Sequence, residues 1–349
     1  MGRKRCLVFV LALCLATLAG CQGSGIQNQV TTVTYDRPES YTAGGEETTQ
    51  PVERVVIDWY NGSVTVARHD GDAVAFSETA NRTLEEGLTL RWRVEDGTLS
   101  LVYCQAGQVQ LGDLEKDLTV LLPEDLTLEE LEVDTGAAPV QVSDIAAGAM
   151  TLGTGSGAID LQACQVTEGA WLDTGSGNIT ADLTGSLETL LADTGSGAVS
   201  LTAGRVSQCT VDTGSGAVSV TAETIETMEA GTGSLQAGQL GAFTAEVGSG
   251  DVTLTAGAVD QVAVSAGSGG FTLMADQAPG ALSVDLTSGP IRLTLPEEAS
   301  FTATLDTVSG QWHCQLPATQ QGDRYVCGTG EGTYRFSTTS GDVTIQALS

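Results

Sequence analysis

The chain has 349 residues, 41% apolar and 5% aromatic, with 44 acidic side chains against 14 basic ones and a net charge of −30 at pH 7. A surface this acidic repels nucleic acid and anionic headgroups, so no nucleic-acid partner is expected. With His69 and His313 as the only histidines and no Cys-x-x-Cys pair, the ligands of a zinc centre are missing.

At the N-terminus, basic Arg3, Lys4 and Arg5 precede an apolar run from Cys6 to Leu18 that is too short for a bilayer-spanning helix and reads as an export signal over residues 1–20. It ends in Leu18-Ala19-Gly20-Cys21, which resembles a bacterial lipobox. That resemblance implies cleavage before Cys21 and lipidation of its thiol, with enough acyl chains for a stable membrane anchor. The expected location is extracytoplasmic, at the bacterial cell envelope. Loss of the three basic residues leaves 11 Lys and Arg against 44 Asp and Glu, a net charge near −33.

Residues 21–51 are rich in Gly, Ser, Thr and Gln and poor in large apolar side chains, and read as a flexible tether. Residues 52–133 are β-rich without a regular repeat. The stretches "VVIDWYNGSVTV", "AVAFSETA", "LTLRWRVEDGTLSLVY" and "KDLTVLLP" predict strands joined by turns, an N-terminal cap on the repetitive part of the chain.

From Val133 one phrase recurs every 19 or 20 residues: "VDTGAAPV" at Val133, "LGTGSGAI" at Leu152, "LDTGSGNI" at Leu172, "ADTGSGAV" at Ala192 and "VDTGSGAV" at Val211. Degenerate copies begin at Ala245, Val264, Val284, Leu305 and Ser337. A single Asp173-Thr174-Gly175-Ser176 would suggest an aspartic protease, but that chemistry needs two loops, one per lobe, and a phrase iterated at constant spacing is architecture first. Alternation on both sides of the Gly-Ser-Gly corner, as in Leu172/Thr174 before it and Ile159/Leu161 after it, predicts strands with one face in and one out. The fold expected for residues 134–349 is therefore all-β: a β-solenoid of about 19–20 residues per coil, in which each coil is stable only against its neighbours. The glycines are expected to supply positive φ at the corners. Around "GTGSLQAGQL", residues 231–240, the period shortens to 15 and a kink or lost turn is expected. "GQWHCQLP" and "GTYRFSTTSGDVTIQAL" are expected to close the far end as a hairpin.

Asp134, Asp173, Asp193, Asp212, Glu246, Asp285 and Asp306 fall out of phase with the inward positions, so they form an outward ladder. Two roles suit them: each carboxylate bonding the amides of its own turn, or calcium held between successive carboxylates, with Asp173, Asp193 and Asp212 as the candidate ligands. Calcium is the one metal the pattern admits, and no other cofactor is expected. Of the five cysteines beyond Cys21, Cys314 and Cys327 flank a polar loop and are expected to pair as a cross-strand disulfide; Cys104, Cys164 and Cys209 leave an odd thiol. Trp171 and Trp312 fall at or beside inward positions and are expected in the core.

"DLTVLLPEDLTLEELEVDTG", residues 117–136, followed by iterated "TGSGAVSV" and a closing "TTSGDVTI", resembles a bacterial adhesin-like family of unknown function built on β-strand repeats. The resemblance spans residues 52–349. It implies an exported or membrane-anchored β-helix-like protein without assigned catalytic residues. The expected function is that of a non-catalytic, lipid-anchored surface protein whose rigid stack contacts an envelope protein or glycan. The alternatives are a carbohydrate-active lyase or hydrolase on a β-helix, for which exposed aromatics and basic residues are sparse, and a calcium-stabilised surface module.

Overall fold

The computed structural model describes residues 33–108, 113–322 and 324–348. Cys21, residues 1–20 and the beginning of the expected tether lie outside the described residues.

The molecule is a β-solenoid, and its register shows why the sequence repeats. Ile159–Thr174 lies parallel to Ile179–Thr194, which lies parallel to Val199–Thr213, and onward through Val218–Ala230, Gly233–Ser249 and Val252–Ser268. Equivalent residues stack directly. Leu152, Leu172, Ala192, Val211, Ala230, Ala245, Val264, Val284 and Phe336 form one inward file, each buried. A second file runs Ile159, Ile179, Val199 and Val218, and resumes through Val252, Phe271, Ile291 and Val343. Burying a Val, Leu or Ile contributes about 1.5–3 kcal/mol, and each of these side chains owes its burial to the coils on either side. Within a coil the pairing lapses at two corners, as at Gly204 and Ser207, which divide it into three short sides.

The Gly-Ser-Gly corners do not work as the sequence suggested. None of Gly155, Gly157, Gly175, Gly177, Gly195, Gly197, Gly214 or Gly216 has positive φ. The constraint is proximity instead: a Cβ on Gly177 would sit 1.8 Å from the Gly157 carbonyl oxygen of the preceding coil. Among the copies of this corner from Gly155 onward, positive φ enters only in the later ones, where Gly269 adopts +135°. The short period is a lost turn: Val218 aligns with Gly233 and Ala230 with Ala245, so the strands keep register while the loop between Ala230 and Gly233 shrinks to two residues.

The stack begins inside the region read as a cap. Arg54–Trp59 and Gly62–His69 form a coil sandwiched between the strands of residues 98–123 and those of residues 127–143, although it precedes both in sequence. Antiparallel strands cover this end: Val74–Ala80 on Lys116–Pro123 and Arg91–Glu95 on Thr98–Val102. The described part of the expected tether is held against this cover, with Thr42–Ala43 paired to Arg91–Glu95 and Glu47–Thr48 to Val74–Ala80. Tyr35 reaches further, its hydroxyl donating to the Cys104 carbonyl at 3.2 Å.

At the other end the expected hairpin is replaced by an insertion. Gly332–Ser340 lies parallel between Ala281–Ser288 and Phe301–Thr307, and Val343–Ala347 lies between Ile291–Leu295 and Trp312–Cys314. The Phe301 and Tyr334 rings stack at 4.4 Å across this junction. Arg324–Cys327 and Ala318–Gln321 finish the end antiparallel.

Candidate functional site

The register places Asp58, Asp134, Gly153, Asp173, Asp193 and Asp212 in one outward file. After a gap at Gly231 the file continues through Glu246, Ser265, Asp285 and Ser337 to Asp306. Neighbours stand one strand spacing apart, about 4.8 Å, where like charges repel by about 1 kcal/mol even in water. The titration of the file reflects this crowding. Asp58 is reachable by solvent, yet the protein atoms around it, and secondarily the Asp134 carboxylate, push its pKa up to about 6. Partial desolvation raises Asp134 as well, opposed by a backbone hydrogen bond at Thr135 and reinforced by Asp173. Asp193 is raised first by desolvation and then by Asp173 and Asp212 on its two sides.

The turn-bonding role expected of these aspartates belongs to the next residue. Thr174 Oγ1 donates to the Gly157 carbonyl at 3.0 Å and accepts from the Gly177 amide at 2.9 Å. Thr194 does the same with Gly177 and Gly197, and Thr213 with Gly197 and Gly216. A thread of inward hydroxyls thus sews each of these corners to the one before it, while the Asp173, Asp193 and Asp212 carboxylates face outward. Asp173, Asp193 and Asp212 stand in a straight file, and among the described residues no group of three or more His, Cys, Asp or Glu is placed to hold a metal ion.

Cys314 and Cys327 are free thiols, which corrects the expected disulfide. The hairpin is offset from the one expected, so that the residue opposite Cys327 is Ala318 and Cys314 lies beside Ile345 on another side of the coil. Cys104, Cys164 and Cys209 are also free and buried, and desolvation pushes Cys209 to about 12 and Cys104 to about 11. None of these thiols is activated as a nucleophile. Trp171 is 37% exposed, its ring lying across Gly169 rather than in the core. Trp312 is half-buried and stacks on Tyr325 at 4.5 Å.

One buried cluster had no sequence signal beyond the rarity of lysine. Lys116 is fully buried in the N-terminal end, donating to the Leu88 and Tyr103 carbonyls and pairing with Glu78 Oε2 at 2.5 Å. The Tyr103 and Trp59 rings flank it at 4.4 and 4.9 Å. Desolvation lowers its pKa, opposed by Glu78. Two carbonyls and the Glu78 carboxylate surround the ammonium, which makes this a fastener between the cover and the first coils; removing one partner of such a pair costs about 3–5 kcal/mol.

Fold and surface together define a class: a parallel β-solenoid with covered ends and long outward files of like residues. The family comparison agrees. The model of Toastrack DUF4097 matches residues 60–230 and 184–346, and the chain belongs to that family. Among curated proteins no match is found. Similar solved structures include a candidate cell adhesion protein from Clostridium sporogenes, 10% identical, with a TM-score of 0.17 over 87% of this chain and 97% of that one. Another is a candidate adhesin from Bacteroides fragilis, 13% identical, with a TM-score of 0.24 over 86% of this chain and 95% of that one.

Proposed function

We propose that the protein is a non-catalytic, lipid-anchored component of the bacterial cell envelope that offers the sides of its stack as a contact surface for an envelope protein or glycan. The observation that carries this reading is the register kept along each side of the coils, which lines up single outward positions in files across successive coils, a form suited to extended partners. The basic-apolar N-terminus ending at Cys21 supports the anchor. Family membership supports the fold on which the surface is displayed.

The test has two arms. In a bacterial host, Cys21→Ser is expected to move the protein from the detergent phase to the soluble exported fraction. A binding screen of the full chain against envelope proteins and glycans is expected to return at least one ligand without turnover of it. Retention of Cys21→Ser in the detergent phase would refute the anchor; depolymerisation of a glycan would refute the non-catalytic role.

A further inference from the structure

A trough of about 780 Å³ runs along the stack at the first corner of the coils. Six successive coils line it, each giving the same short segment: Thr202-Ala203-Gly204, Thr221-Ala222-Glu223, Gln236-Ala237-Gly238 and Thr255-Ala256-Gly257 in the middle, with Gly185 and Met274 toward its two ends. Five steps of about 4.8 Å make it about 24 Å long. Ala203, Ala222, Ala237 and Ala256 are buried beneath it, and at the corner itself three of these four coils place a glycine, Gly204, Gly238 and Gly257, while the fourth places Glu223.

Two further features set this surface apart. Thr202, Thr221, Gln236, Thr255 and Met274 are in register, so hydroxyl or amide groups recur at nearly every strand spacing. Among the described residues these hydroxyls and the Gln236 amide have no hydrogen-bond partner, unlike the threonines of the Gly-Ser-Gly corners, which are bonded on both sides. In a chain of net charge −30, only Glu223 and Asp276 bring charge to the lining. The long floor of small residues, charged only at Glu223 and Asp276, beside a row of neutral donors and acceptors matches a ribbon with C–H faces and hydroxyl edges.

We infer that the trough binds a neutral linear polysaccharide lying along the stack axis. This deepens the contact-surface reading above and rests on it. A peptide fits less well, since its alternating side chains need pockets and the trough repeats one uniform segment.

The test is affinity gel electrophoresis of the full chain through hydroxyethylcellulose, glucomannan and dextran, with pectin as the anionic arm and an unfolded casein as the polypeptide arm. Retardation by at least one neutral polymer is expected. Thr221→Trp with Thr255→Trp, which fills the trough from exposed or half-exposed positions, is expected to weaken it at least about tenfold, and the milder Thr221→Ala partially. Asp173→Asn, on the acidic file, is expected to leave it unchanged, and the thermal melts of the variants confirm that they fold. No retardation by any neutral polymer, or binding to pectin or casein alone, overturns the inference. Neutral-glycan binding that survives in the tryptophan variant also overturns it while sparing the contact-surface reading, which falls separately if the wider screen returns no ligand.

Discussion

Thr174→Val tests whether the hydroxyl thread holds the corners together. The substitution is nearly isosteric, leaves the inward file filled, and removes one oxygen whose residue is 1% exposed. Two groups lose their partner: the Gly157 carbonyl, which accepted at 3.0 Å, and the Gly177 amide, which donated at 2.9 Å. A net hydrogen bond contributes about 1 kcal/mol and a stranded buried group costs about 1–3, so a loss of about 2–3 kcal/mol is expected, because the half-exposed corner lets water recover part of the amide's bonding. Denaturant unfolding gives the total, and hydrogen exchange at the Gly177 amide shows whether the damage is local. Thr338 provides the control. It occupies a thread position in a later coil, buried, but its hydroxyl has no partner. Thr338→Val is therefore expected to be neutral or slightly stabilising. Equal effects of the two substitutions, or a cost below about 0.5 kcal/mol for Thr174→Val, would show that volume and not hydrogen bonding sets the preference for threonine.

Gly177→Ala places a Cβ against the backbone of the preceding coil and is expected to cost at least about 3 kcal/mol, whereas Gly231→Ala, with nothing within 4 Å of the added carbon, is expected to change the melting temperature little. The Asp58 pKa is raised in the folded state, from 3.8 to about 6, so its contribution to stability is full below pH 4 and is lost as pH rises through 6. Asp58→Asn should flatten that slope in melts across pH 4–7.5 and, discounting for solvent screening at this accessible site, stabilise the protein at pH 7 by about 1 kcal/mol. Lys116→Met leaves Glu78 without its ion-pair partner beside the buried aromatics and is expected to cost about 3–5 kcal/mol; Lys116→Met with Glu78→Leu should recover most of that loss in the same unfolding measurement.

The interior was legible in the sequence because burial in a strand has period two. Leu172, Ile179, Val199 and Leu254 alternate with polar residues, and no other information is needed to turn them inward. The corner chemistry was not legible, since it depends on which carbonyl of the next coil lies opposite. Gly177 as a turn residue and Gly177 as a contact residue give the same letter, and only the 1.8 Å approach separates them. Thr174 faces inward and Asp173 outward as the alternation predicts, but the turn bonds offered to Asp173 are made by Thr174: both side chains can bond a turn, and the one that does is the one facing inward. Trp171 shows that an aromatic beside the core pattern is not thereby in it. The threading of the two ends left no trace, because Val343 and Ile345 alternate as any coil does whether they lie last in the stack or one place in from its edge.

That threading answers a problem every parallel stack has. A bare final coil offers a row of unpaired backbone groups to any passing strand, and natural sheets blunt such edges. Here both ends turn antiparallel, through Val74–Ala80 and Arg91–Glu95 on one side and Arg324–Cys327 and Ala318–Gln321 on the other, and the outermost strands are short. The coils nearest the two ends of the described chain are each set one place in, bonded to a parallel neighbour above and below. Removing residues 332–349 should therefore cost more than one coil: Phe301–Thr307 and Trp312–Cys314 lose the strands that join them to the stack, and the edges of Ala281–Ser288 and Ile291–Leu295 are laid bare. The expected result is protease sensitivity spreading back to residue 301 together with self-association on gel filtration. A truncated chain that stays monomeric and resists cleavage in residues 301–327 would mean that the antiparallel end holds without the inserted coil.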